Sequence, residues 1–330
     1  SNKSISEVNY NLDKNKGITA LMYHRFDENK YPSTNIELKV FKNHLREIKL
    51  LNYKFIHPNN FKKNLENNSE KVFLLTIDDA FLSFYQHAWP ILKKEKIPFI
   101  LFVNTETIGS SGYMSWDEIK EIKNSNLGLI GNHSHTHGYL VEKNKSEILK
   151  DLLKADKLFR ENINFSPKFF SYPFGEYSDE FKEVVKEMKF EFAFGQHSGV
   201  IDITHDKFEL PRYSINEKYG NLKRFKTIIN TFPLPHKKII PSNKYLFKNN
   251  NPPIVEIIFF PDLINIKNIN CFSNEGGNWH KSKIKFINEY KIKFLLEDKF
   301  VGERGRINCS LKDKNSSWRW LGIQFVVGDK

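Results

Sequence analysis

The sequence predicts an α/β fold, a distorted (β/α) barrel followed by a smaller all-β sandwich domain, on the basis of three observations. Between residue 17 and about residue 230, short apolar runs alternate with amphipathic stretches, as in a mostly parallel sheet. After Pro233, apolar and polar residues alternate over short runs, which is typical of antiparallel strands. Hydrophobic residues at 39% and aromatic residues at 14% are sufficient for buried cores.

Six apolar runs are predicted to form the strands of the barrel. Each is bounded by polar residues or by turn-forming residues, as expected for short buried strands. In such barrels the chemistry lies where strands end and loops begin, so polar residues at these ends are candidate site residues. The predicted strands are 18–23, 73–77, 98–103, 127–130, 169–172 and 190–194.

Five helices are predicted between these strands from apolar residues spaced three and four apart. Ser115 is a candidate N-cap with Glu118 three residues later, and Ser178 is a candidate N-cap of another helix. The predicted helices are 41–51, 85–94, 115–123, 145–162 and 178–188.

The change of pattern predicts two domains, at 1–235 and 251–330, joined by a linker at 236–250 that lies within the five-proline stretch 233–253. Cys271 and Cys309 are the two cysteines of the chain. A disulfide between them would indicate an oxidising compartment, whereas two buried free thiols would not. We favour the disulfide, between two strands of the sandwich.

The net charge of +12 would suit an acidic polysaccharide, a nucleic acid or an anionic membrane. The lysines are spread along the chain and form no stripe, so we predict no nucleic-acid partner. No run approaches the roughly 20 apolar residues of a membrane span, so none is predicted. The sequence predicts no particular oligomeric state.

Two polar clusters follow predicted strands and supply metal-ligand types. Asp78 and Asp79 end one apolar run, and His133 and His137 follow another. We expect Asp79, His133 and His137 to form a metal site with open positions, with the two imidazoles converging through a helical turn. Asp78 would then take a proton from metal-bound water as general base. Alone, an Asp pair is more often a turn or cap, and His135 could be solvated surface.

The order of these motifs resembles the polysaccharide deacetylases of the NodB-homology group, carbohydrate esterase family 4, over residues 17–235. Two further segments resemble the branch that acts on poly-N-acetylglucosamine, one at the first strand and one late in the barrel. The matching segments are Leu21-Met22-Tyr23-His24, Thr76-Ile77-Asp78-Asp79-Ala80, His133-Ser134-His135-Thr136-His137, Tyr172-Pro173-Phe174-Gly175 and Leu210-Pro211-Arg212.

The resemblance implies a metal-dependent hydrolase that removes N-acetyl groups from the amino sugars of a polysaccharide or oligosaccharide, with zinc as the divalent metal. It also implies a secreted or periplasmic location. In the implied site Asp78 is the base, the metal ligands are Asp79, His133 and His137, and the substrate-binding or oxyanion residues are His24, Tyr172, Pro173 and Phe174, with the Phe174 N–H donating to the oxyanion.

Two positions depart from the family pattern. Ala80 stands where the family has glycine, and we expect it to adopt an ordinary backbone angle. Ser171 stands where the family has the arginine that orients the catalytic aspartate. Arg212 could replace that arginine beside Asp78, and we include it among the catalytic residues.

The residue that acts as general acid and protonates the departing amine is also open. The family often uses a late histidine in a Leu-x-x-His motif, and His236 is one position off that spacing. His197 follows a predicted barrel strand and should face the same rim, so we assign the role to His197.

Two alternatives to a polysaccharide deacetylase stay open. One is a hydrolase of another C–N amide bond on the same barrel. The other is a carbohydrate-binding protein on a degenerate deacetylase scaffold. In the second domain Trp279, Trp318 and Trp320 could stack on sugar rings, although Trp318 and Trp320 are two apart and could equally share a core face.

Overall fold

The computed structural model describes residues 10–330, so the first nine residues of the predicted first domain lie outside the described residues. The described part contains seven α-helices. They are α1 (Leu38–Leu50), α2 (Phe61–Glu66), α3 (Trp89–Glu95), α4 (Trp116–Asn124), α5 (Lys145–Ile163), α6 (Asp179–Glu187) and α7 (Leu222–Ile228).

Twenty β-strands accompany these helices within residues 10–330. Those of the first half are β1 (Ile18–Tyr23), β2 (Arg25–Phe26), β3 (Asn35–Ile36), β4 (Lys54–Phe55), β5 (Val72–Asp78), β6 (Phe99–Val103), β7 (Gly128–Asn132), β8 (Phe169–Ser171), β9 (Phe192–Phe194) and β10 (Tyr213–Ser214). Those of the second half are β11 (Thr231–Pro233), β12 (Lys238–Ile240), β13 (Tyr245–Leu246), β14 (Glu256–Ile258), β15 (Asn270–Ser273), β16 (His280–Lys281), β17 (Ile284–Asn288), β18 (Lys291–Phe294), β19 (Arg304–Lys312) and β20 (Trp318–Val327).

A curved parallel sheet forms the first part of the molecule, with strand order β10-β1-β5-β6-β7-β8-β9 and β4 beside β5. Strands β1, β5 and β6 are buried along their whole length, as expected for a parallel sheet covered on both faces. Leu210 bridges to Phe194 of β9, and three residues later β10 pairs with β1, so this segment nearly closes the sheet. The predicted distorted barrel is confirmed.

The predicted helices are confirmed, with one irregularity. Ser115 and Glu118 form both bonds of a capping box, and the Ser178 side chain caps α6. The predicted helix 85–94 is a π-helical segment, Phe84–Ala88, that continues into α3. Pro90 lies at the start of α3, where a missing N–H is tolerated.

The C-terminal part contains two sheets, as the predicted sandwich requires. One has the order β11-β20-β19-β15-β16 with β13 also on β20, and the other has the order β12-β14-β18-β17. The predicted disulfide is present and joins Cys271 of β15 to Cys309 of β19. The first sheet is not purely antiparallel, because β11 and β13 pair with β20 in parallel.

The two parts contact each other through the loop that follows β9. The Trp320 Nε1–H donates to Ser198 Oγ at 2.8 Å, and Ser198 Oγ donates to Asn308 Oδ1 at 2.8 Å. Gly199 forms an isolated bridge to Leu321. Residues 236–250, predicted as a linker, include β12 and β13, which pair with strands of the C-terminal sheets. The three-way division of the chain stays a prediction.

None of the helices within residues 10–330 combines the length and the apolar character that a membrane span requires.

Candidate active site

Two left-handed residues turn the chain at the end of β5. Asp78 is the last residue of β5, and Asp79 and Ala80 have φ angles of 80° and 54°. The Asp79 N–H donates to Phe102 O at 3.0 Å, which joins the turn to the neighbouring strand. The expectation of an ordinary angle at Ala80 was therefore wrong. The left-handed region costs an L-residue about 1–2 kcal/mol, which explains the use of glycine there in the family.

The two predicted histidine ligands converge through an irregular loop, and the predicted helical turn is absent at 133–137. Ser134 and His137 have φ angles of 72° and 53°. The Ser134 N–H donates to Asn132 Oδ1 at 2.8 Å, and the His137 N–H donates to Ser134 Oγ at 2.9 Å. Side-chain oxygens thus satisfy backbone donors that a helix would have paired internally.

His135 is a buried structural residue of this loop. Its Nδ1 contacts Thr105 Oγ1 at 2.8 Å, and its side chain is 9% exposed. Asp151 of α5 accepts from the His135 N–H at 2.7 Å and from Thr136 Oγ1 at 2.6 Å. The alternative that His135 is solvated surface is therefore wrong. Asp151 supports the loop, and no sequence motif indicated it.

Asp79, His133 and His137 offer three ligand atoms within 4.8 Å of one another. The Asp79 Oδ1 atom lies 3.2 Å from His133 Nε2 and 3.3 Å from His137 Nε2. Asp79 Oδ1 and His133 Nε2 are both buried and have no hydrogen-bond partner among the described residues. His133 Nδ1–H donates to Ser171 O at 2.7 Å, which leaves the Nε2 lone pair facing Asp79. These converging, unpartnered acceptors fit a divalent metal ion.

The charges around Asp79 and His137 favour metal-binding protonation states, whereas Asp78 and Asp79 outweigh burial at His133 and raise its pKa. Burial alone would raise the pKa of Asp79, but His133, His24 and His137 hold it well below its usual range. Burial, followed by the charge of His133, lowers the pKa of His137 to about 4. At neutral pH Asp79 is therefore ionised and His137 is neutral, as metal ligation requires.

Arg212 makes a bidentate contact with Asp78 in the interior of the barrel. Its Nη1 donates to Asp78 Oδ1 at 2.7 Å and its Nη2 donates to Oδ2 at 2.9 Å. Both side chains are fully buried. Burial raises the pKa of Asp78, but the charges of Arg212 and His133 outweigh it, so the pKa lies below its ordinary value. Arg212 is thus placed where it could take over the task of the absent family arginine.

Ser171 contacts the Asp78–Arg212 pair and also His133, and the sequence did not predict these contacts. Its hydroxyl accepts from Arg212 Nη2 at 2.8 Å and donates to Asp78 Oδ2 at 3.2 Å. Its carbonyl oxygen accepts from His133 at 2.7 Å. The family arginine is absent at this position, yet the serine links Asp78 to His133.

His24 lies at the end of β1 beside the two carboxylates. Its side chain is 9% exposed, and it has no hydrogen bond to any residue between 10 and 330. Burial lowers the pKa of His24, while the charges of Asp79 and Asp78 oppose that shift. An unpartnered imidazole next to both carboxylates is available to a substrate.

Tyr172, Pro173 and Phe174, which were predicted to bind the substrate or the oxyanion, differ in burial. Tyr172 is fully buried and its hydroxyl donates to Phe208 O at 3.0 Å, so its side chain lies in the core. Pro173 is also buried. Phe174 is part-exposed with a φ of 61°, and its N–H donates to no group within residues 10–330. Phe174 is therefore the residue of this motif that a substrate could contact.

His197 lies in a different environment from the one predicted. Its Nε2–H donates to Glu209 O at 2.9 Å, and its ring lies 5.9 Å from that of Tyr177. It lines a cavity of about 280 Å³ together with His205 and His236. The polar contacts of its ring include neither carboxylate and neither ligand histidine. Its assignment as general acid stays a prediction without a supporting contact.

Aromatic side chains lie beside His137. Tyr139 is 52% exposed and stacks on Phe174 at 4.5 Å, and the Phe174 ring lies 4.7 Å from that of His137. Phe81, which follows the turn at Asp79 and Ala80, packs against Tyr113 at 5.1 Å. Such rings suit the apolar faces of pyranoses. Of the tryptophans, Trp279 and Trp318 are about half exposed, and Trp320 packs against the barrel core.

The parallel sheet thus carries a possible metal-ligand triad and a separate buried carboxylate at its strand ends. Residues 65–193 match the family model described as Polysaccharide deacetylase. This match over residues 65–193 confirms the resemblance seen in the motifs.

The relatives agree with this family. A poly-beta-1,6-N-acetyl-D-glucosamine N-deacetylase of Staphylococcus aureus is 29% identical over 156 residues, which cover 43% of this chain and 54% of that protein. The match thus spans about half the length of this curated relative. IcaB from Ammonifex degensii superposes with a TM-score of 0.59 at 24% identity, over 66% of this chain and 98% of IcaB. The deacetylase PplD of Streptococcus pyogenes, solved with acetate, has a TM-score of 0.59 at 22% identity, over 64% and 98%.

Proposed function

We propose that this chain is a metal-dependent N-deacetylase that hydrolyses the acetamide groups of amino sugars in a polysaccharide, with poly-N-acetylglucosamine as the first candidate. The observation that carries the proposal is the convergence of Asp79, His133 and His137 next to a carboxylate, Asp78, that is bound by Arg212. The Staphylococcus aureus relative supports the choice of glycan.

Asp79, His133 and His137 would bind the divalent cation, zinc first among the candidates because its sites favour histidine and carboxylate ligands with one open position. When bound there, the cation supplies Lewis acidity toward the acetamide carbonyl and toward water. The Ser171 carbonyl fixes the tautomer of His133, so the required lone pair is preorganised.

Asp78 would act as the general base on the attacking water. It is ionised at neutral pH because its pKa lies below the ordinary value. Its two oxygens receive three donors, from Arg212 twice and from Ser171 once. A carboxylate accepts roughly four hydrogen bonds, so a lone pair remains for the proton of water.

The Phe174 N–H would donate to the oxyanion that forms when water adds to the carbonyl carbon. Two observations support this role: the N–H has no partner among residues 10–330, and the Phe174 ring lies 4.7 Å from that of His137. A donor aimed at a developing oxyanion typically contributes about 3–4 kcal/mol to the rate. Collapse of this species breaks the C–N bond, releases acetate and leaves the amine to be protonated.

His24 is a second candidate beside His197 for protonating the leaving amine, because the charges of Asp79 and Asp78 act on its imidazole. We expect His24→Gln to lower kcat by about 10²-fold or more, the usual contribution of a positioned acid. His197→Gln should leave kcat within about threefold of the wild type, because its ring contacts Glu209 O and not the carboxylates. Steady-state acetate release, with thermal melts to verify folding, measures both. A large kcat loss in His197→Gln alone would support His197 as the general acid and contradict that role for His24.

Acetate release from N-acetylglucosamine oligomers tests the proposed function. The β-1,6-linked pentamer should release acetate, a chelator should abolish the release, and added zinc should restore it. Chitin oligomers and an N-acetylated peptide serve as matched substrates for the two rival functions. Hydrolysis of the peptide alone would favour another C–N hydrolase, and glycan binding without acetate release would favour a degenerate scaffold.

The Cys271–Cys309 disulfide supports a secreted or periplasmic location, because disulfides persist in oxidising compartments. The polymeric substrate agrees with that location, since such glycans lie outside the cytoplasm.

A further inference from the structure

The backbone turn that carries the candidate oxyanion donor is conformationally unusual. Phe174 and Gly175 have φ angles of 61° and 68°, so two successive residues occupy the left-handed region. A Cβ at Gly175 would lie 2.5 Å from Gln196 Cβ and 2.6 Å from Gln196 N, which leaves room for glycine alone. A non-glycine residue persists in this region only when its surroundings fix it. The turn therefore needs external contacts to keep the Phe174 N–H in place.

Two of these contacts come from the C-terminal β region. Arg304 Nη2 on β19 lies 3.0 Å from Glu176 Oε1, and Gln324 Nε2 on β20 lies 3.5 Å from Gly175 O. The Arg304 guanidinium carbon lies 5.9 Å from the centre of the Phe174 ring. Arg306 pairs with Gln324 in the β19–β20 register, so Arg304 and Gln324 lie on one face of this sheet. This face of the β19–β20 pair thus contacts the carboxyl-terminal end of the turn, at Gly175 and Glu176.

The Arg304–Glu176 ion pair is largely buried, so the loss of Arg304 would affect the buried carboxylate of Glu176. The Glu176 side chain is 4% exposed and that of Arg304 is 23% exposed. Burial raises the pKa of Glu176 to about 7, and the charge of Arg304 opposes that shift. Without Arg304 the carboxylate would be left buried and unpaired, a state that proteins avoid by protonation or rearrangement. Either response would release the turn from the β region.

We infer that Arg304 is a positioning residue of the C-terminal β region, which fixes the Pro173–Gly175 turn through Glu176 so that the Phe174 N–H meets the oxyanion. This role rests on the proposed deacetylase function. It assigns a task in the reaction to a part of the chain outside the matched family region, which ends at residue 193.

Kinetics of Arg304→Met, Arg304→Lys and Lys312→Met test the inference. Lys312 is an exposed cation at the far end of the same strand and serves as the control. Arg304→Met should lower kcat by about 10- to 100-fold, the effect of a misplaced reacting group, with KM changed less than about twofold because the interaction acts in the transition state. Arg304→Lys should recover part of the loss, and Lys312→Met should match the wild type.

Amide hydrogen exchange of peptide 172–178 adds a readout that needs no turnover. The Gly175 and Glu176 amides, bonded to Tyr172 O and Pro173 O, should exchange at least about tenfold faster in Arg304→Met than in Lys312→Met. Unchanged exchange, or an unchanged kcat in an active enzyme, overturns the positioning role while leaving the deacetylase intact. A wild type inactive on every acetylated glycan overturns the proposed function itself, and the catalytic role of Arg304 with it.

Discussion

Asp78→Asn is expected to lower kcat for acetate release by about 10²–10⁴-fold, the range that removal of a general base usually produces. The amide cannot accept a proton from water at neutral pH, although it has nearly the shape of the carboxylate. One of its atoms can still accept from Arg212, which contacts both oxygens in the wild type. The loss should therefore reflect chemistry more than folding.

Thermal unfolding of the same variant provides the control. Replacing one member of a buried ion pair leaves the other charge uncompensated, a change that typically costs about 3–5 kcal/mol. If Asp78→Asn is folded and retains more than about a tenth of the wild-type kcat, Asp78 is not the base and the assignment fails.

Arg212→Met should shift the acidic limb of the pH–rate profile to higher pH and lower the rate at neutral pH. In the wild type burial raises the pKa of Asp78 and the Arg212 charge more than offsets it. Removing that charge leaves burial dominant, so the pKa rises. Because the base works in its ionised form, a higher pH is then needed for full activity.

The sign of the stability change with pH gives a second readout for Arg212. Because the pKa of Asp78 is lowered in the folded wild type, its carboxylate stabilises the fold at pH values above the pKa of the unfolded state. That stabilisation is lost as the pH falls through the pKa of the folded state. In Arg212→Met the pKa of Asp78 is raised in the folded state, so the pH dependence of the stability has the opposite sign. The stability should then decrease as the pH rises toward that raised pKa. Arg212→Lys retains the charge without the planar fork and should be intermediate. Identical pH profiles in all three proteins would show that Arg212 does not steer Asp78.

Long apolar runs made the barrel predictable from the sequence, whereas the short strands could not be predicted. Strand β5 is buried at every position, which appears in the sequence as a continuous apolar run. Strands β2, β3 and β10 are two residues long, too short for any periodicity. The parallel pairing of β13 with β20 joins segments about 80 residues apart, and no local pattern encodes it.

The metal ligands were predictable because residue type and spacing identify them. Their supports were not, because tertiary contacts bring them in. Ser171 reaches Asp78 from 93 residues away, and Arg212 reaches it from 134 residues away. Arg212 was nevertheless proposed, since its motif resembled that of a known branch. A matching motif does not specify where each side chain points, and the Tyr172 side chain is buried in the core.

Bound metal and acetate release, measured for Asp78→Asn and Asp79→Asn in the same preparations, distinguish the roles of the two carboxylates. We expect about one zinc ion per chain and a kcat lowered about 10²–10⁴-fold in Asp78→Asn, since we assign Asp78 as the base and not as a ligand. We expect substoichiometric zinc and no turnover in Asp79→Asn, whose Oδ1 atom faces both histidines. Full zinc occupancy in Asp79→Asn, or metal loss in Asp78→Asn alone, would contradict the division of roles between the two carboxylates.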